Sequence, residues 1–454
     1  MGSSPITCSI YVKGGRSDRS FLIIWGGKEL KELVILILAV LAYYFIIFDK
    51  RMPKSTITLF IGLILMASHL VKNMNVENLS EIVDFNTLGL LFGMMITVSI
   101  LEETGLFQYL VVKMLRLSKA NYIRTIVFLM MVVALTSAFL DNVITILMTA
   151  PMIFLVADTL GVNPTSLIFL TLFIDNIGGM ATIIGSPLNI VLGSESGLSF
   201  NAFLKNLGTF AIFAFITVFV VFKRYLPKPE NADEKLKLLA QMDPKKAITN
   251  LPLLKKSLPV FLVVLAGFSM HGILKTELSI ISMLGALFIL LLSNRKFEDV
   301  SKKIDWDTLF FYMGLYMITF SLEKAGFTDT IAKLFMPLKD HPFASSIVFL
   351  WISSIITPFL SAVPGTLLMV PVIHKLVSVG FTPYIWWAYG MGANLGTNLT
   401  PLGAVQNLIG VSLLEKNQGE KIEFTAFMKL GIKVVLPTMI LATIWVSIRF
   451  MIWG

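Results

Sequence analysis

Phe139-Leu140-Asp141-Asn142-Val143-Ile144-Thr145 places an aspartate and an asparagine inside a long apolar run. Shortly after it, Asp175-Asn176-Ile177-Gly178-Gly179 does the same. A carboxylate at bilayer depth costs about 2.5–3.5 kcal/mol on insertion scales, so it is retained where it faces protein, water or an ion path. The two stretches nominate Asp141 and Asp175 as the proton- or cation-coupling carboxylates of a membrane transporter.

Composition supports the membrane setting. The chain has 454 residues, of which 56% are hydrophobic and 14% charged. A soluble protein carries roughly 25% charged residues. Many apolar stretches reach the ~20 residues that cross a hydrocarbon core. The alternating short strands of a barrel are missing from the pattern. The fold expected is an all-α polytopic protein, integral to the cytoplasmic (cell) membrane. The net charge of +9 resides in loops, as cytoplasmic segments of membrane proteins require, so nucleic acid is not an expected partner. Cys8 is the one cysteine, which rules out an internal disulfide or a multi-thiolate metal site. His69, His271, His341 and His374 are scattered without ligand spacing. No metal and no cofactor are expected. An enzyme is disfavoured, because no nucleophile–base pair or nucleotide loop is visible. Residues 1–30 read as a polar, basic, poorly ordered leader.

The chain then repeats itself. Apolar spans fall near 33–48, 55–71, 86–101, 123–139, 143–157, 165–190 and 207–222. A hydrophilic linker, 223–256, carries nine basic residues against four acids. Spans of matching order follow near 257–274, 277–293, 306–322, 343–359, 363–379, 383–410 and 428–450. Asp84-x-x-Thr87-Leu88 with Gly93, Leu101-Glu102 and Gly105 matches Asp305-x-x-Thr308-Leu309 with Gly314, Leu322-Glu323 and Gly326. Phe139-Leu140, Val143 and Pro151 match Phe359-Leu360, Val363 and Pro371. Asn176, Gly178, Thr182, Gly185 and Asn189 match Asn394, Gly396, Thr400, Gly403 and Asn407 at one fixed offset. Such matches inside apolar segments indicate an internal duplication. The halves are 31–222 and 257–454.

The pairs 123–139/143–157 and 343–359/363–379 are separated by only a few residues. Asp141-Asn142 is too polar for a lipid-exposed turn and too short for an aqueous loop. Both pairs read as re-entrant hairpins whose tips stop inside the protein. Each half then has five membrane spans plus a hairpin, and five is odd, so the repeats are inverted. With a cytoplasmic linker, the basic segments 49–54 and 294–303 fall inside and Glu77 to Asp84 outside. The basic leader is the exception. Residues 102–120 and 323–340 read as interfacial amphipathic helices.

Gly178, Gly179, Gly185 and Pro187 predict a broken helix, since glycine costs about 1 and proline about 3 kcal/mol in a helix interior. The second half has its partner in Asn394-Leu395-Gly396-Thr397-Asn398-Leu399-Thr400-Pro401-Leu402-Gly403. Two broken helices at matching places point to a midplane solute site. The candidate solute-binding residues are Asn142, Thr145, Asn176, Gly178, Thr182, Gly185, Ser186 and Asn189. From the second half they are Ser361, Thr366, Asn394, Gly396, Thr397, Asn398, Thr400, Gly403 and Asn407. The halves differ in charge: Asp141 aligns with Ser361 and Asp175 with Ala393. Plainer readings compete. Asp141 could simply cap a helix, Asp175 could be a structural hydrogen-bonding residue, and the glycines could be close-packing positions.

Leu140-Asp141-Asn142 followed by Gly178-Gly179-x-x-Thr182-x-Ile184-Gly185-x-Pro187-x-Asn189 resembles the ion transporter superfamily. The similarity is to arsenite permeases, D-type sodium/proton antiporters and pink-eyed dilution (P) proteins. Gly392-Ala393-Asn394-Leu395-Gly396-x-x-x-Thr400-Pro401-x-Gly403 looks like the matching arsenite-permease segment. The resemblance implies inverted repeats, a scaffold, and a transport part of hairpins and broken helices moving as an elevator. Arsenite permeases often carry an acid where this chain has Ser186. Paired Ser-Asn-Thr motifs of dicarboxylate carriers are not matched.

The leading expectation is proton-coupled efflux of a small inorganic solute, arsenite or antimonite, with Asp141 and Asp175 carrying the proton. Neutral arsenous acid needs hydrogen-bonding oxygens and amides, not thiolates. Sodium/proton antiport comes next, then an anion or dicarboxylate carrier, then a passive channel. The lipid bilayer is the obligatory partner. A homodimer and a peripheral ATPase subunit stay open.

Overall fold

A computed structural model describes residues 28–48 and 51–453. Most of the expected leader, with Cys8, lies outside the described residues. The first half contains α1 (Lys28–Phe48), α2 (Lys54–Ala67), α3 (Phe85–Glu102), α4 (Leu106–Leu117), α5 (Tyr122–Phe139), α6 (Asn142–Leu160), α7 (Thr165–Gly179), α8 (Pro187–Ser196) and α9 (Thr209–Phe222). The second contains α10 (Leu251–Leu274), α11 (Leu278–Ser293), α12 (Trp306–Lys324), α13 (Phe327–Phe335), α14 (Pro342–Leu360), α15 (Ala362–Ser378), α16 (Ile385–Gly396), α17 (Val405–Gln418) and α18 (Phe424–Trp453). Short helical turns fill the connections. The described residues contain no strand. Among them, eight helical segments are long and apolar enough to cross a membrane.

The repeated residues build matching local structures. Asp84 caps α3, its Oδ1 accepting from Asn86 N at 2.9 Å and its Oδ2 from Thr87 Oγ1 at 2.5 Å. Asp305 caps α12 in the same manner, accepting from Thr308 N at 3.0 Å and Thr308 Oγ1 at 2.6 Å. Gly105 and Gly326 each adopt positive φ, 76° and 86°, where α3 turns into α4 and α12 into α13. Only glycine enters that region without steric cost. The expected amphipathic helices after each turn are α4 and α13.

Packing is reciprocal between the halves. α2 lies on α12, and its counterpart α11 lies on α3. α6 packs on α17, and α15 on α8. Glycines set the closest approaches. A Cβ on Gly93 would stand 2.6 Å from the Ser282 backbone of α11. A Cβ on Gly314 would stand 2.4 Å from the Thr58 backbone of α2. These small residues let helix backbones touch where no hydrophobic drive separates helix from lipid.

The periphery is apolar and open, with Leu262, Val263, Leu284 and Leu291 exposed on α10 and α11. The centre is densely packed. From Leu167 to Gly179 every residue of α7 is buried, and so is nearly all of α16. A helix buried all round belongs in a core, so the two helices that lead into the breaks run through the middle.

The linker differs from expectation at its end. α10 starts at Leu251, not after 256, because Asn250 Oδ1 caps it through Leu253 N at 3.0 Å. Lys255 and Lys256 therefore ride on its first turns. The linker is also docked. Asp233 accepts from Tyr122 N at 2.9 Å, Lys235 Nζ donates to Leu160 O at 2.9 Å, and Thr249 N donates to Thr104 O at 3.0 Å.

Replacing Gly93 or Gly314 with valine overpacks a backbone contact and is expected to cost about 1–3 kcal/mol each. Thermal unfolding in detergent should show a lowered midpoint for both. Gly272→Ala, in helix α10 at a position with nothing within 4 Å, should not lower the midpoint, since alanine is the better helix former.

Candidate functional site

The two breaks are built alike. After Gly179 the chain turns through Met180–Ser186, and Pro187 opens α8 at a position that needs no N–H donor. After Gly396 it crosses Thr397–Ala404 before α17. Each break leaves backbone carbonyls without helical partners. Asn189 Nδ2 donates to Gly179 O at 3.1 Å, Met180 O at 3.2 Å and Thr182 O at 2.8 Å. Asn407 Nδ2 donates to Thr397 O at 2.8 Å and Thr400 O at 3.2 Å. Threonines tie each break to the adjacent helix pair. Thr182 Oγ1 donates to Ala138 O, and Thr400 Oγ1 to Pro358 O.

The same asparagines join the halves. Asn176 Nδ2 donates to Asn407 Oδ1 at 3.0 Å, and Asn394 Nδ2 to Asn189 Oδ1 at 2.8 Å. Asn176 Nδ2 also reaches Asn398 Oδ1 at 2.8 Å, while its Oδ1 accepts from Gln406 Nε2 at 2.6 Å. Gly178 and Gly396 let α7 and α16 touch the backbones of Ala134 and Ser354, where a Cβ would come within 2.4 and 2.6 Å. Gly185 and Gly403 fold each break back on itself.

Asp141 caps α6, its Oδ1 accepting from Val143 N at 2.8 Å. Ser137 Oγ lies 2.8 Å from Asn142 Oδ1 and 2.6 Å from Asp175 O, drawing α5, α6 and α7 together. Asp175 is 0% exposed, and neither carboxylate oxygen has a hydrogen-bond partner. The hydroxyls of Thr136 and Thr145 are also buried without one.

A cavity of about 350 Å³ opens between these elements. Four helix N-termini reach it: Asp141 and Val143 of α6, Ser186 and Pro187 of α8, Ser361 and Ala362 of α15, and Ala404 and Val405 of α17. Only α6 has a side-chain cap among the four. Of the residues singled out from sequence, Asp141, Asn176, Ser186, Ser361, Asn394 and Thr397 line this space. Asn142, Thr145, Asp175, Gly178, Thr182, Gly185 and Asn189 stand behind it in the wall, with Thr366, Gly396, Asn398, Thr400, Gly403 and Asn407. Thr366 Oγ1 is spent on Ala362 O at 2.8 Å. Lys54, Lys303, Asp305, Tyr312 and Gln406 also line the cavity and were not singled out. Asp305 was visible only as part of the repeat. Lys303 Nζ is held by Glu103 Oε1 at 3.0 Å, and Arg295 by Glu103 Oε2 at 2.6 Å.

Residues 43–392 match the citrate transporter family, CitMHS. The chain belongs to that family. An uncharacterised transporter of Mycobacterium tuberculosis is 32% identical over 375 residues, covering 82% of this chain and 87% of that protein. The P protein of Mus musculus is 27% identical and aligns with 82% of this chain, which spans about half of that protein's length. The fold of the Neisseria gonorrhoeae efflux pump MtrF matches over 93% of this chain and 96% of that one, with a TM-score of 0.59 at 12% identity. The resemblance to the ion transporter superfamily and to P proteins is borne out. This citrate transporter family member is an integral, multi-pass membrane transporter.

Capping and charge at Asp141 are separable. Asparagine caps as well as aspartate, whereas alanine loses about 0.5–2 kcal/mol. Asp141→Asn should therefore unfold at the parent midpoint, and Asp141→Ala below it. A second measurement concerns the breaks. Asn189→Ala and Asn407→Ala each strip donors from buried carbonyls and should cost about 1–3 kcal/mol, read as a lowered thermal midpoint in detergent.

Proposed function

We propose that this family member is a secondary active carrier of a small anion, coupled to protons or cations at Asp141 and Asp175. One observation carries the reading: four helix N-termini open into a single cavity, three of them without a side-chain cap. Helix N-termini present free N–H groups and the positive end of the dipole, and they favour negative charge. Lys54 and Lys303 add two cationic groups to the lining, set against the carboxylates of Asp141 and Asp305 there and Glu103 on Lys303. The family match makes citrate or a related carboxylate the first solute to test.

Asp141 explains the coupling on this reading. An ionised carboxylate beside a bound anion repels it, so the anion binds best when Asp141 is neutralised. By linkage, each ligand strengthens the other's binding, and anion and coupling ion move together. Asp175 is a buried carboxylate whose oxygens meet no donor; it needs a neutralising proton or cation. Efflux of arsenite or antimonite in exchange for protons is the second reading. Its support is the neutral hydrogen-bonding set Asn176, Ser186, Ser361, Asn394, Thr397 and Gln406 around the cavity.

The mechanism we infer is an elevator with inverted repeats, 31–222 and 257–454, about the linker 223–256. Its support is directional. α12 begins at Asp305 beside Lys303, and Lys303 is bonded to Glu103 just past the end of α3. The matched helices α3 and α12 thus run opposite ways. The helix pairs α5–α6 and α14–α15 serve as re-entrant hairpins, with tips meeting at the cavity. They would move with α7–α8 and α16–α17 against a scaffold of α2, α3, α11 and α12. Glu103 O also accepts from Thr249 Oγ1 of the linker at 2.7 Å. On this reading the cavity mouth is cytoplasmic, and the support is that the basic linker bonds Glu103, the partner of Lys303 in the lining.

The test is solute uptake in proteoliposomes under imposed gradients. Citrate should accumulate faster as the outside pH falls, because acid neutralises Asp141, and the dependence should flatten in Asp141→Asn. If the double change Asp141→Asn with Asp175→Asn leaves ion-driven accumulation intact, the coupling assignment fails. Arsenite-dependent flux without competition by carboxylates would select the second reading.

A further inference from the structure

α12 carries a line of polar side chains that the proposed site uses only at one end. Thr308, Tyr312, Tyr316, Thr319 and Glu323 follow one another at intervals of four, four, three and four. Residues so spaced share one face of a helix. That face meets α15, the second helix of the second hairpin. Thr308 and Tyr312 line the 350 Å³ cavity. Tyr316, Thr319 and Glu323 line a separate cleft of about 790 Å³ at the other end of α12, together with Glu195 of α8 and His374 of α15. The polar line thus joins two spaces with no other described connection along this helix.

Two features mark it as more than packing. Tyr316 and Thr319 are only 6% and 7% exposed, and neither hydroxyl has a hydrogen-bond partner. The side chains of Asp84, Thr87 and Glu195 surround the Tyr316 hydroxyl, and Tyr43 stands beside Thr319. Buried hydroxyls without partners are costly and rare. They are sensible where a solute or water engages them in passing. The matched face of α3 makes the contrast. Leu91, Met95 and Val98 stand where α12 has Tyr312, Tyr316 and Thr319. Leu91 and Val98 border only a gap of about 30 Å³, which Asp141 also lines, whereas Met95 reaches the 350 Å³ cavity as well.

We propose that the hydroxyl line Thr308–Tyr312–Tyr316–Thr319 of α12 is the scaffold side of the translocation path, and that Leu91 and Val98 at the matched positions of α3 lie off it. This rests on the reading of the protein as a carrier but not on the identity of its solute. The solute leaves the cavity past Tyr312 and enters the opposite cleft past Tyr316 and Thr319. The hydroxyls give it hydrogen bonds in place of water while the hairpin of α14 and α15 slides by.

Thiol labelling tests this without a solute. In full-length Cys8→Ser protein, single changes Tyr312→Cys, Tyr316→Cys and Thr319→Cys are compared with Leu91→Cys and Val98→Cys. A membrane-impermeant methanethiosulfonate is applied to sealed vesicles of either orientation. The three α12 positions should label, Tyr312→Cys from the linker side and the other two from the opposite side. The two α3 positions should stay unlabelled until the protein is denatured. Absence of labelling at Tyr316→Cys and Thr319→Cys in monodisperse protein overturns the proposal, as does equal labelling on α3. The milder pair Tyr316→Phe with Thr319→Val should slow transport by about five- to thirtyfold, the effect of one or two kcal/mol, with the thermal midpoint kept. An unchanged rate removes these hydroxyls from the path. Failure of citrate uptake alone, with the labelling pattern intact, would count against the anion reading and not against this one.

Discussion

Carbonyls bared by a broken helix in an interior short of water must find donors. Asn189 and Asn407 supply them, each spreading one amide group over successive carbonyls of its own break. Without that, α7 and α16 would have to continue as helices, and no N-termini would face the centre. Irregular backbone is tolerated at membrane depth where it is buried in protein or lines a cavity. Here both conditions hold on opposite sides of the same loop. The C-terminal side of each break is closed by asparagine and threonine, while the N-terminal side is left open to the cavity.

The second use of these asparagines makes the breaks mutually dependent. Asn189 and Asn407 each accept from an asparagine of the other half, Asn394 and Asn176. The reciprocity means that neither break is complete alone. It also means that α7, α8, α16 and α17 are fastened by buried amide pairs at the ends that flank the breaks. Hydrogen bonds of this sort are directional, so they fix the relative height of the halves in a way that apolar contacts cannot.

Much of this was legible in the sequence. Every repeated polar or glycine position has a concrete task. Asp84 and Asp305 cap, Gly105 and Gly326 turn, Gly93 and Gly314 admit a neighbouring backbone, and Gly178 and Gly396 do likewise. Periodicity and local chemistry announce such tasks. What was hidden is which polar groups face the cavity. Asn189 and Asn407 look like solute ligands in sequence, since an amide near a glycine-rich break can serve either a solute or the backbone. Lys54 and Lys303 look like ordinary loop charges. They reach the cavity because α2 and α12 pack on each other across the two halves, a contact with no local signature. Tyr312 and Tyr316 were not singled out, because a phenol in an apolar helix carries no local signature either.

The halves are alike in backbone and unlike in polarity, and the differences fall in a consistent place. Both interior acids, Asp141 and Asp175, come from the first half, facing Ser361 and Ala393 at the matching positions. The hydroxyl line of α12 belongs to the second half, against Leu91, Met95 and Val98 of α3. A duplicated scaffold offers two equivalent seams between the moving and the fixed parts. If both were polar, water and ions could pass one seam while the other carried the solute, and the gradient would run down. If both were apolar, a charged or strongly hydrated solute would meet the full cost of desolvation on either side. The proposed path along α12 gives the solute one polar seam, while Leu91 and Val98 keep the matched positions of α3 apolar. Asp141 reaches the same cavity from the first half and Tyr312 from the second, so on the proposed reading a coupling ion and a solute meet there on different walls and each alters the other's binding.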